Sequence, residues 1–203
     1  MIRAFLAVEL SDDVRSRIAL VQQDLKSHLI RELPRVVRLS WVQPASIHLT
    51  IKFLGDMGEQ LVEPLREALA EVFKDQPVMS IPLERLGGFP SLLAPRILWI
   101  GASEQWEQGD EAKRLTALHQ SVEVCCDSLG FARDSRPLIP HLTLARIKAG
   151  WREFGQTLAK SGMLDRPLSL GRFDAGSVTL VKSELNPAGS VYTKLWDVPL
   201  KQL

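Results

Sequence analysis

Ser46-Ile47-His48-Leu49-Thr50-Ile51-Lys52-Phe53-Leu54 and Ile139-Pro140-His141-Leu142-Thr143-Leu144-Ala145-Arg146-Ile147 are two distant stretches built on one tripeptide. The chain has only 4 histidines, and two of them open His-Leu-Thr. With 32 leucines and 6 threonines among 203 residues, chance places two such tripeptides with a probability on the order of one in ten thousand. Both stretches are extended apolar runs with a proline ahead of the histidine, Pro44 or Pro140, and both read as strands. In a strand, residues i and i+2 share a face about 6.6 Å apart. His48 therefore projects with Thr50, and His141 with Thr143. Leu49, Ile51 and Phe53 on the first strand, and Leu142 and Leu144 on the second, are expected to face the core. If the two polar faces oppose each other across a cleft, two imidazoles and two hydroxyls share one small volume.

The sequence around these strands alternates strand and helix signals without a steady βαβ rhythm. Ile2 to Glu9 reads as a strand. Ser11 offers an N-cap with Asp12 and Asp13 in the first turn, and Val14, Ile18, Val21, Leu25 and Leu29 recur at helical spacing. Val36 to Val42 is a short extended segment ahead of Pro44. Leu61, Leu65, Leu69 and Val72 mark a second helix. Val78 to Leu86 and Arg96 to Gly101 read as strands joined through a Gly87-Gly88-Phe89-Pro90 turn region. A third helix spans about Asp110 to Leu129, with Gly130 placed to end it. Trp151 to Ser161 reads as a short helix. Leu170 to Leu185 and Ser190 to Val198 form a hairpin through Asn186-Pro187-Ala188-Gly189. Strands separated only by turns favour antiparallel pairing, so the expected class is α+β.

Composition sets limits on the chemistry. Apolar residues make up 45% and charged residues 24%, the balance of a globular protein with a sizeable core. Lys and Arg number 25 against 24 Asp and Glu, a net charge of +1. That excludes wrapping long nucleic acid through overall basicity, so a phosphate-bearing partner needs a local site. No apolar run approaches the length of a membrane span, and Ala4 to Val8 is too short for a secretory leader. The two cysteines are adjacent, Cys125 and Cys126, and behave as small hydrophobes in a reducing compartment. A cytoplasmic location, no membrane association and a monomeric state are expected.

Paired histidines suit phosphodiester hydrolysis. One neutral imidazole takes a proton from water while one imidazolium gives a proton to the leaving oxygen, and an ordinary pKa near 6.5 lets both forms exist near neutrality. Thr50 and Thr143 can donate hydrogen bonds to the non-bridging phosphate oxygens. The arrangement requires no metal and no cofactor, and two histidines without an acidic or cysteine partner make a poor metal site. Arg146 has the forked donors that hold phosphate, but strict alternation puts it on the face of Leu142, so it needs a bulge or a strand end to reach a cleft. Lys52 shares a face with His48 and Thr50 and is expected to be solvated. His28 and His119 read as structural or solvent-facing. Trp41, Phe89 and Trp99 are candidates for stacking on a base, with core packing the more frequent role. Arg133, Arg136, Arg146 and Lys148 bracket the second tripeptide as a local basic patch.

These residues resemble the 2H phosphoesterase superfamily, and within it the RNA 2′,3′-cyclic phosphodiesterases, also called 2′-5′ RNA ligases. The likeness rests on Arg3-Ala4-Phe5-Leu6-Ala7-Val8, on Trp41-Val42, and on Ser46 through Asp56. It continues with Phe89-Pro90, Pro95-Arg96-Ile97-Leu98-Trp99, Pro140 through Arg146, Ser183-Glu184-Leu185 and Tyr192. The resemblance implies a single domain over residues 1–203 made of two lobes, pseudo-symmetric antiparallel sheets flanked by helices, with one motif per lobe facing a central cleft. It implies opening of an RNA-terminal 2′,3′-cyclic phosphate to a 2′-phosphomonoester, with His48 as proton donor and His141 as acceptor. The residues by themselves leave that order open. Reversible 2′-5′ ligation is implied as a secondary activity. Two alternatives keep the chain and change the role: a phosphodiesterase for small cyclic nucleotides, ADP-ribose derivatives or 2′-5′ oligoadenylates, and an RNA-binding module without turnover.

Overall fold

A computed structural model describes residues 1–166, 168, 170–186 and 189–201. In chain order the elements are β1 (Ile2–Val8), α1 (Asp12–Leu29), β2 (Arg38–Trp41), β3 (Leu49–Met57), α2 (Val62–Phe73), β4 (Met79–Pro82), β5 (Arg85–Phe89) and β6 (Ile97–Gly101). They continue with α3 (Glu104–Glu107), α4 (Asp110–Ser128), β7 (His141–Ala149), α5 (Trp151–Lys160), β8 (Arg172–Ala175), β9 (Ser177–Asn186) and β10 (Gly189–Pro199). Eight strands form one antiparallel sheet, β10-β9-β1-β3-β7-β6-β5 with β2 on β7, whose two halves, a first sheet β10-β9-β1-β3 and a second sheet β2-β7-β6-β5, meet at one registered pair, Leu49 with Leu142. A separate ribbon pairs β4 with β8. The fold is α+β, as the element pattern predicts.

Helices cover one face of the sheets. Ser11 caps α1, its hydroxyl accepting from the Val14 amide at 3.4 Å, and Val14, Ile18, Val21, Leu25 and Leu29 are buried along one stripe. Each such aliphatic side chain contributes about 1.5–3 kcal/mol on burial. α2 buries Leu65, Leu69 and Phe73, and the Trp196 indole of β10 donates to the Val62 carbonyl at 2.9 Å. α4 buries Leu115, Leu118, Val122 and Cys126, and Gly130 follows it at φ +88°, a left-handed conformation that ends a helix.

Two bulges decide what reaches the opposite face. In the β1–β3 ladder Leu6 pairs with Lys52 and Ala7 with Thr50, which leaves Ile51 unpaired. One extra residue reverses the alternation beyond it. Lys52 is therefore buried on the helix side at 4% exposure, and Phe53 stands on the other face at 67%. Simple alternation put these two the other way round, and the bulge corrects both. In the second sheet Leu98 pairs with Ala145 and Trp99 with Thr143, leaving Leu144 unpaired. Ala145 turns inward, and Arg146 turns to the open side.

Other boundaries move for local reasons. The expected strand over Val78 to Leu86 is two strands, β4 and β5, which pair with β8 and β6 respectively. Gly87, Gly88 and Phe89 lie within β5, and the turn itself is formed by residues 90–96. Gly87 is there because the Trp99 ring crosses its strand: a Cβ would stand 2.0 Å from that ring. The expected strand over Leu170 to Leu185 is divided into β8 and β9. β9 and β10 form the expected hairpin, with Gly189 opposite Asn186; Pro187 and Ala188 of its turn lie outside the described residues.

Candidate active site

Each histidine is held by the chain immediately before it. Pro44–Ser46 forms one 3-10 turn, Ile47 is buried, and His48 stands at the entrance to β3. The His48 Nδ1 lies 2.9 Å from the Ser46 carbonyl. His141 repeats the device at the start of β7, with Nδ1 2.7 Å from the Ile139 carbonyl. A carbonyl only accepts, so Nδ1 carries the hydrogen in both rings. Nε2 is thereby the nitrogen left to gain and lose a proton.

The rings are also fixed by aromatic neighbours. Phe5 stacks on His48 at 4.7 Å between centroids, and Tyr192 meets it edge-on at 5.3 Å. Phe89 meets His141 edge-on at 4.8 Å, and Trp99 lies 6.1 Å away. Burial is the main cause that pushes the His48 pKa down to about 4, with the positive charges of Arg146 and of a protonated His141 acting the same way. His141 is lowered too, first by burial and then by Arg146, against its bond to Ile139. Both imidazoles are therefore biased to the neutral form until an anion arrives.

A cleft of about 870 Å³ lies between the sheets, and His48, Thr50, His141, Thr143 and Arg146 all line it. All five residues singled out from the sequence are thus brought together, Arg146 by its bulge. Arg3 and Lys148 add positive charge to the wall, while Trp41, Phe53 and Tyr192 add aromatic surface. Of the expected basic patch, Arg146 and Lys148 reach the cleft. Arg133 and Arg136 are spent on Asp127 and Asp134, at 2.9 and 2.7 Å. Trp99 and Phe89 are packed about His141, whereas Trp41 lines the cleft. Among the described residues no group of three or more His, Cys, Asp or Glu is placed to hold a metal ion.

Three features escaped the sequence reading. Phe5 and Tyr192 clamp His48 from strands remote in sequence. Phe53 is on the cleft wall only because of the bulge. Lys52, expected in solvent, is paired with Glu123 at 2.7 Å beneath the sheet, beside a buried His119. His28 lies at the end of α1 against Asp24, at 3.1 Å.

Comparison with known proteins gives a consistent picture. A family model described as LigT like Phosphoesterase matches residues 8–99. The chain is 32% identical over 193 residues to an RNA 2′,3′-cyclic phosphodiesterase of Archaeoglobus fulgidus, covering 95% of this chain and 97% of that one. It is 29% identical over 194 residues to the protein of that name from Methanothermobacter thermautotrophicus, covering 96% of each. Among solved structures, TT0787 of Thermus thermophilus superposes with a TM-score of 0.73 at 24% identity, covering 98% of both chains. E. coli LigT complexed with 3′-AMP gives 0.73 at 23% identity, covering 99% of both.

Proposed function

The chain belongs to the LigT-like phosphoesterase family, together with the RNA 2′,3′-cyclic phosphodiesterases, and we propose that it opens the 2′,3′-cyclic phosphate at an RNA end by paired-histidine acid–base catalysis. The observation that carries this reading is the pair of imidazoles with Nδ1 tied to a carbonyl and Nε2 free, both facing one cleft.

The cyclic phosphate sits between the histidines, its non-bridging oxygens accepting from the Thr50 and Thr143 hydroxyls and from the Arg146 guanidinium. The Nε2 of His141 takes a proton from water, and the resulting hydroxide forms a bond to phosphorus. The P–O3′ bond breaks, and the Nε2–H of His48 gives its proton to the departing O3′. The product is a 2′-phosphomonoester, and each imidazole ends in its partner's starting state, so solvent exchange resets them. Each positioned proton transfer is worth roughly 10²- to 10⁴-fold. The anionic substrate itself favours the His48 imidazolium, which burial disfavours in the free enzyme. Run forwards with a 5′-hydroxyl in place of water, the same steps join RNA ends by a 2′-5′ linkage. No step calls on a metal. Residues 1–203 act as one catalytic unit, since one copy supplies both motifs.

The test is an RNA oligonucleotide ending in a 2′,3′-cyclic phosphate, incubated with the protein in excess EDTA and followed by phosphorus NMR. A 2′-monophosphate end is expected. His48→Ala and His141→Ala should each lower turnover by about 10²- to 10⁴-fold with circular dichroism unchanged. A 3′-monophosphate product would reverse the regiochemistry, and full activity in either variant would remove that histidine from the site.

A further inference from the structure

The ion pair beneath the first motif strand is, among the described residues, the buried charged cluster that the proton transfers do not use. The Lys52 ammonium donates to Glu123 Oε2 at 2.7 Å and to the Ala132 carbonyl at 2.8 Å. The same Glu123 oxygen accepts from the Asp134 amide at 3.0 Å, and its other oxygen lies 3.5 Å from His119 Nε2. The Lys52 and Glu123 side chains are 2% and 8% exposed.

Ala132 and Asp134 belong to the irregular segment between α4 and β7, which runs through Ile139 and Pro140 and delivers His141. Lys52 lies on β3, two residues past Thr50, turned inward by the Ile51 bulge. The pair therefore ties the strand of one motif to the lead-in of the other. The two motif strands share only the Leu49–Leu142 pair, so no ladder fixes the angle between them.

Stability alone does not explain a buried pair here, because well-packed apolar residues in its place are often neutral or stabilising. What apolar residues cannot do is hold a carbonyl and an amide of an irregular loop at fixed points. We infer that Lys52 and Glu123 are positioning residues that set the spacing of the two histidines through the 131–140 segment. The inference rests on the acid–base reading above. Misplacement of a catalytic group by about 1 Å can cost on the order of 10²-fold in rate.

The test compares the natural protein with Lys52→Met and with Lys52→Met/Glu123→Leu. The single variant leaves a buried carboxylate unpaired and is expected to fold poorly; the double variant removes both charges and keeps the fold testable. In the folded double variant, kcat on the cyclic-phosphate RNA should fall about 100-fold with KM changed less than about threefold. The His141 imidazole, followed by NMR, should titrate nearer its ordinary value as the segment loosens. Natural kcat together with an unchanged His141 titration overturns the inference. If the natural protein itself fails to turn over the RNA, the acid–base reading falls, and positioning is judged on the imidazole alone: a shifted His141 titration supports it, an unchanged one removes it.

Discussion

A histidine side chain buried against Phe5 and Tyr192 behaves differently from one in water, and His48 shows in which direction. Its pKa is pushed down to about 4, while in the unfolded chain it takes the ordinary value near 6.5. Between those values the unfolded chain binds more protons than the folded one, so folding stability is fully present above about pH 6.5 and declines as the pH falls toward 4. His141 adds a loss of the same sign. The melting temperature of the natural protein should drop more steeply over that interval than that of His48→Asn, which has nothing to protonate there. Inorganic phosphate in the cleft should raise the His48 titration, since an anion favours the imidazolium. Parallel pH curves for the two proteins would show that burial does not hold the ring neutral.

Among strands and helices, the two bulges do more than any single contact to compose the site. The repeated His-Leu-Thr and its i, i+2 geometry were legible in the sequence because a strand's alternation depends only on spacing. The face of Lys52 and Phe53 was not, because a bulge is a property of the ladder between two strands, and Ile51 carries no mark of being skipped. Arg146 was legible only as a condition, since its arrival in the cleft needed the bulge at Leu144. Gly87 illustrates the same limit: read as a turn residue, it is a strand residue left bare for the Trp99 ring. Gly87→Ala should displace that ring, costing about 1–3 kcal/mol as an overpacked site. Because Trp99 and Phe89 pack about His141, kcat should fall as well, by about tenfold or more. Gly176→Ala, with nothing within 4 Å of its new Cβ, serves as the neutral control. Natural melting and turnover in Gly87→Ala would mean that the ring yields without disturbing His141.

The two sheets are stitched together by chain segments that cross between them. The first sheet takes β1 and β3 from the beginning of the chain and β9 and β10 from its end, so it is not complete until β10 is made, whereas the second is complete with β7. α1 follows β1 of the first sheet, yet its buried Gln22 donates to the Leu144 and Val42 carbonyls of the second, each at 2.9 Å. α4 leads into β7 of the second sheet, yet carries the Glu123 that meets Lys52 of the first. Each motif strand is thus held near its bulge by a polar side chain from a helix that, along the chain, adjoins a strand of the other sheet. Such crossing predicts one cooperative unfolding transition rather than two. Gln22→Leu withdraws both donors from buried carbonyls and should cost about 1–3 kcal/mol. For a chain of this length that is a fall of about 2–4 °C per kcal/mol. Far-ultraviolet circular dichroism and tryptophan fluorescence should report the same midpoint before and after the substitution, with both shifted together. If the fluorescence midpoint moved while the dichroism midpoint held, the second sheet would be melting alone, and the cleft would owe its shape to each sheet separately rather than to the crossings between them.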